Sequence, residues 1–108
     1  MILIVNKYLP GNRFKGMVLW PFLFVKNPEL KNDEIFINHE RIHMRQQQEL
    51  LILFFYIWYY LEYLFRLAKS GNRMQAYRNI SFEREAYDRE TIDDYLKERK
   101  FWAFLHYL

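Results

Sequence analysis

The sequence predicts an α+β domain: a small N-terminal antiparallel sheet or hairpin followed by about three helices. Three observations carry this reading. Two short runs rich in branched and aromatic residues, ILIVNKY at 2–8 and MVLWPFLFV at 17–25, have strand character and are separated by turn residues. From about residue 33 the pattern turns helical and stays so to about residue 68. A third helical stretch follows Ser81, and a total of 108 residues suits a single domain over 1–108.

Each element has a local reason. Pro10-Gly11-Asn12 punctuates the first strand as a turn. Pro21 has no N–H to give a ladder, so 17–25 reads as an edge strand or one broken by a bulge. The polar segment 26–33, with Pro28, reads as a loop. Asn32 or Asp33 can cap the first helix, with Glu34 well placed in its first turn. A helix longer than 30 residues is too long for so small a domain, so a bend is expected near 47–51. Gly71 ends the helical run. Arg73 and Tyr77-Arg78-Asn79 read as loop, Ser81 as the cap of a last helix from 82 to about 98, and the apolar tail FWAFLHYL must dock on the rest.

Composition excludes several function classes. The chain holds 10 Phe, 9 Tyr and 3 Trp, which excludes a disordered tail and exceeds what a small core needs. It has no cysteine, so disulfides, thiol nucleophiles and Cys-ligated zinc are all absent. The net charge is +3. Residues 1–80 carry 11 Lys/Arg against 6 Asp/Glu, scattered rather than clustered, which disfavours a nucleic-acid partner. The N-terminus has no secretory pattern, giving a cytoplasmic expectation. LLILFFYIWYYL at 50–61 is shorter than a span, and extending it takes in Glu62 and Arg66, a potential i,i+4 pair. A buried or partly membrane-apposed helix is expected ahead of a true span; the Tyr and Trp content of 50–67 suits peripheral membrane contact.

His39-Glu40-Arg41-Ile42-His43 is an HExxH string in mid-helix. Residues i and i+4 lie about 40° apart on one helix face, so both imidazoles can reach one metal ion, with Glu40 as general base. Ile35, Ile42 and Gln46 flank this face, and Arg41, Arg45 and Gln48 project from the other side. A solvated His–Glu–His cluster without metal would show the same string. A zinc site needs a third protein ligand and an open position. The compact spacing with Gly at 46 and His at 49 fails, because the chain has Gln46 and Glu49. His106 lies in the aromatic tail and reads as a packed, hydrogen-bonded residue. Glu83 in SFEREAYD is the better candidate, with Tyr87 and Glu90 on its face.

HERIH followed forty residues later by FEREAY resembles the gluzincin metallopeptidases, in particular their minimal single-domain members. In several branches of that family the third ligand is the first Glu of an E-x-x-A-D string on a "glutamate helix", and residues 83–87 match it with Tyr87 in place of Asp. The resemblance covers about residues 17–90. It implies a minimal zincin-like domain with Zn2+ on His39, His43 and Glu83, hydrolysing peptide or protein substrates through a metal-bound water. The family's Asp supports the first histidine pair; here Tyr87, Glu85, Asp88 or Glu90 must do so. The resemblance also implies a sheet-edge strand that pairs with substrate, assigning Trp20, Phe22 and Phe24 to subsite walls. Tyr77, Arg78 and Tyr87 are candidates for steadying the oxyanion. The alternative is a catalytically weak or inactive zincin fold that acts as a membrane-apposed or protein-interaction module. Because imidazole must be neutral to bind metal, metal loss is expected below about pH 6.

Overall fold

A computed structural model describes residues 1–6 and 14–108. Three short strands, β1 (Ile2–Val5), β2 (Gly16–Leu19) and β3 (Phe22–Val25), form one sheet in the order β1-β3-β2. β2 and β3 are antiparallel, with Leu19 opposite Phe22 and Met17 opposite Phe24. β1 runs parallel to β3, with Ile2 opposite Phe22, so the sheet is mixed rather than antiparallel. The stretch 17–25 is therefore not one edge strand. It folds back on itself at Trp20-Pro21, whose peptide bond is cis. Pro21, which has no N–H, sits in the turn, and the strand after it becomes the centre of the sheet. The turn expected at Pro10-Gly11-Asn12 lies outside the described residues.

Five α-helices follow: α1 (Glu34–Glu49), α2 (Leu53–Ser70), α3 (Arg73–Asn79), α4 (Ser81–Arg89) and α5 (Tyr95–Glu98). Two 3₁₀ turns add to them, Pro28–Asn32 in the expected loop and Ala103–Tyr107 in the tail. Asp33 caps α1, its side chain accepting from the Phe36 N–H at 3.1 Å. The expected break falls at 50–52. There Leu51 and Ile52 have positive φ (54° and 63°), and the Leu53 N–H donates to the Leu51 carbonyl at 2.6 Å. That tight γ-turn bends α1 against α2 by 112°. α2 ends at Gly71, whose φ of 68° is the left-handed conformation glycine adopts freely. The segment expected as a loop at 73–79 is helix α3, capped by Asn72. The last long helix is divided, α4 stopping at Arg89 and α5 starting at Tyr95.

Two apolar clusters flank α1. Val18, Leu23 and Val25 from the sheet pack on Met44. On the other side Leu50, Phe55, Ile80, Phe82 and Phe104 form the helical core. Phe104 is fully buried, so the C-terminal tail docks as its composition requires. His106, expected to be packed, is exposed. Among the described residues no single helix is long and apolar enough to cross a membrane.

Candidate metal centre

α1 presents His39, Glu40 and His43 on its buried face, all less than 10% exposed. α4 brings Glu83 to them from across the core, and its position is set by α2. Glu62 accepts from both the Ser81 N–H (2.6 Å) and the Ser81 hydroxyl, holding the first turn of α4. Glu62 also accepts from Trp58 Nε1 at 2.9 Å, so it does not make the expected pair with Arg66. Ser81 is the first helical residue and a donor to Glu62, rather than a cap.

The three expected ligands converge. His39 Nε2 and His43 Nε2 lie 3.1 Å apart, and Glu83 Oε1 lies 3.3 and 3.0 Å from them. Zinc bonds of 2.0–2.1 Å in a tetrahedron separate ligand atoms by about 3.3 Å, so this triangle has the size of one face of a zinc site.

The outer hydrogen bonds decide what the three atoms can do. His39 Nδ1 lies 2.6 Å from Glu90 Oε2, and His43 Nδ1 lies 2.8 Å from Gln46 Oε1. The Gln46 amide cannot be turned round, because its Nε2 donates to the Phe82 carbonyl (3.1 Å) and to Glu85 Oε1 (2.9 Å). Both Nδ1 atoms therefore face acceptors and carry the proton. Each neutral imidazole is left with a lone pair on Nε2, pointing at a carboxylate oxygen. Three acceptors facing one point require a cation, either a proton or a metal ion. Charge behaves accordingly. Burial alone would lower His43, but the charge and hydrogen bond of Glu83, helped by Glu40, overcome it and raise it to about 9. Burial alone would raise Glu83, but the neighbouring His43 and His39 hold it well below the usual carboxylate range.

The supporting residues are only partly those expected. Glu90 supports His39, and Asn38 holds Glu90 in place by donating to its carbonyl at 2.9 Å. Glu85 acts on His43 through Gln46. Asp88 instead accepts from Tyr107 and reaches neither histidine. Tyr59, which no sequence pattern singles out, donates to Glu83 Oε2 at 2.7 Å. Its only signal is position: it lies four residues after the buried Phe55 on the inward face of α2.

Glu40 points to a cavity of about 620 Å3 that also exposes His39, His43 and Glu83. Among the described residues no hydrogen-bond partner is found for its carboxylate, and burial raises its pKa. Tyr77 lines the same cavity, its hydroxyl 3.3 Å from that of Tyr87. Tyr87 does not line it. Its ring stands edge-on to His39 at 4.5 Å, covered on another side by the Arg78 guanidinium at 3.7 Å. Trp20, Phe22 and Phe24 do not line the cavity either. Phe22 and Phe24 pair with each other at 6.2 Å and alternate along β3 with the buried Leu23 and Val25. The strand that reaches the cavity is β2, through Gly16, Met17 and Val18. The Val18 carbonyl already accepts from Gln47 Nε2 and the Tyr56 hydroxyl, and the Trp20 N–H donates to Gln47.

No family model, curated protein or solved structure matches the chain.

Proposed function

We propose that this protein is a zinc-dependent hydrolase of peptide bonds, a minimal domain of the gluzincin kind. One observation carries the reading: two imidazole lone pairs and a carboxylate oxygen, locked by their outer hydrogen bonds, meet at tetrahedral spacing beside a glutamate that has no hydrogen-bond partner among the described residues. Two nitrogens and one oxygen suit zinc, and three protein ligands leave a fourth position for chemistry. When bound, zinc supplies a Lewis acid that polarises a carbonyl and makes water acidic near neutral pH.

The chain's own residues supply the rest. Glu40, with no competing partner among the described residues and a pKa raised by burial, accepts the proton of the attacking water and returns it to the leaving nitrogen. Tyr77, also raised by burial, keeps its proton and can donate from the cavity wall to the substrate carbonyl oxygen. Glu90 and Gln46 keep the two imidazoles in the ligating tautomer.

The test begins with metal content. Purified protein is expected to hold one zinc per chain, and His39→Ala or Glu83→Ala to lose it. Absence of zinc, with no thermal shift on adding it, would sink the reading. Glu40→Gln is expected to keep zinc and abolish peptide hydrolysis. If the parent binds zinc and cleaves nothing, the inactive, interaction-module alternative takes its place.

A further inference from the structure

The outward half of α2 reverses the pattern of a surface helix in water. Leu53, Phe54, Ile57, Leu61, Leu64 and Phe65 are all exposed, Leu53 by 65% and Leu61 by 60%. At 100° per residue they share one continuous half of the helix with Tyr56, Tyr60 and Ala68, over a length of about 24 Å. No charged residue interrupts that half. The charges of α2 lie elsewhere: Glu62 is turned inward to hold Ser81, and Arg66 is half-buried with its Nε enclosed. The inward side is itself largely aromatic (Phe55, Trp58, Tyr59, Tyr63), so α2 is apolar nearly all round and its outer half is left facing out with Lys69 at one edge, as in a helix lying in a lipid interface.

The rim selects the occupant. Between residues 50 and 79 the basic residues are Arg66, Lys69, Arg73 and Arg78, and the single acid is Glu62. Arg66 is half-buried and Arg78 lies over the Tyr87 ring, so the rim cations of this stretch are the exposed Lys69 and Arg73, while its one acid, Glu62, is engaged by Trp58 and Ser81. That is complementary to anionic headgroups, whereas a second copy would bring the same cations against themselves. Trp20 and Leu19, 38% and 40% exposed, stand beside the start of α2, where Tyr56 donates to the Val18 carbonyl. Such polar-tipped rings favour the headgroup layer.

We propose that the outer half of α2 docks peripherally on an anionic lipid bilayer. The helix lies in the interface, since no described helix is long and apolar enough to cross alone and α1, across the 112° bend, carries the polar face of His39, Glu40 and His43 buried in the protein. Tyr56, Tyr60, Arg73 and Met74 belong both to this surface and to the cavity lining, so docking opens the cavity at the lipid surface. Docking does not depend on the zinc reading. Its consequence does: if the site is a peptidase, its substrate is an apolar polypeptide segment held at the membrane surface.

The test is flotation of the full chain with vesicles of phosphatidylcholine, with and without phosphatidylglycerol. Binding to the anionic vesicles is expected to be at least about tenfold stronger, the worth of the two rim cations Lys69 and Arg73. Ile57→Glu with Leu61→Glu, both exposed and so neutral to folding by circular dichroism, is expected to abolish binding to either vesicle. Lys69→Glu with Arg73→Glu should remove only the anionic preference. His39→Ala with His43→Ala should bind vesicles like the parent. A parent chain that floats with neither vesicle overturns the proposal. So does a dimer by sedimentation that Ile57→Glu with Leu61→Glu dissociates. A peptide anchored on anionic vesicles is expected to be cleaved faster than the same peptide free. Docking with no cleavage of either would leave the surface standing and remove the peptidase.

Discussion

The inward face of α1 and the outward face of α2 are joined by three residues and have opposite polarity to what their positions suggest. The α1 face buries His39, Glu40, His43, Gln46 and Gln47. The α2 face, in contact with solvent, is built of Leu, Ile, Phe and Tyr. The buried face tolerates its polarity because its groups are paired: Gln46 with Phe82 and Glu85, and Glu85 in turn with Arg99 at 2.5 and 3.0 Å and with Tyr95 at 2.6 Å. The pairing is incomplete at Glu40, which faces the cavity, and where the three ligand atoms meet, and at that meeting point a cation is required. The exposed face has no comparable internal compensation. Chemistry is therefore expected where polarity is enclosed, and contact with another phase where apolarity is left open.

The largest effect should come from unpairing the enclosed network. Arg99 holds Glu85 and also Glu49, at 2.7 Å, so Arg99→Met leaves two carboxylates without their cation. A loss of about 3–5 kcal/mol is expected. Thermal denaturation should show it; an unchanged melting temperature would mean that the network is not closed. Phe82→Ala, in the apolar core that shares α4, should cost a similar amount, about 3–5 kcal/mol.

Next in size are the residues that orient the imidazoles. Glu90→Leu and Gln46→Leu remove the acceptors on His39 Nδ1 and His43 Nδ1 and should weaken zinc binding about 10–100-fold. Zinc titration by calorimetry checks this. Equal loss of affinity on changing Asp88, which touches neither histidine, would break the distinction drawn here.

The dependence on acid follows from Glu85. Burial would raise it, but the hydrogen bonds from Arg99, Tyr95 and Gln46 hold its pKa below the usual carboxylate value. A depressed carboxylate stabilises the folded state fully above the unfolded pKa of about 4.3 and loses that contribution as pH falls through the folded value. The melting temperature should thus fall below about pH 4, and less steeply in Arg99→Met. The smallest effect belongs to the open face. Leu61→Ser should change stability by no more than about 0.5 kcal/mol, since that side chain is 60% exposed. A larger loss would show that the face is covered in the folded protein.

Local chemistry explains how much of this was legible. The HExxH spacing placed both imidazoles on one face because helix geometry is the same everywhere. Asp33 and Gly71 bounded the helical run through caps that depend on a few neighbouring residues. The break between α1 and α2 followed from length alone. Helix α3 was missed because 73–79 has few apolar residues to mark a face, although Asn72 offered a cap. The fold of 17–25 into a hairpin was hidden because both halves carry the same strand-forming residues, and nothing local says that Pro21 turns the chain.

What the sequence by itself determined was the α+β class, the pair of histidines on one helix face, Glu40 beside them and the short list that contained Glu83 and Glu90. Only the tertiary structure decided which of those acids meets which histidine, since Glu83 and Glu90 lie 44 and 51 residues from His39. The roles of Tyr59 and Arg99 depend equally on packing between helices. It also decided which half of α2 is left uncovered, because a run that is apolar on nearly every side does not reveal which side will find a partner. Covalent spacing fixes geometry within one helix turn; across helices, the path of the chain and the core between them set it.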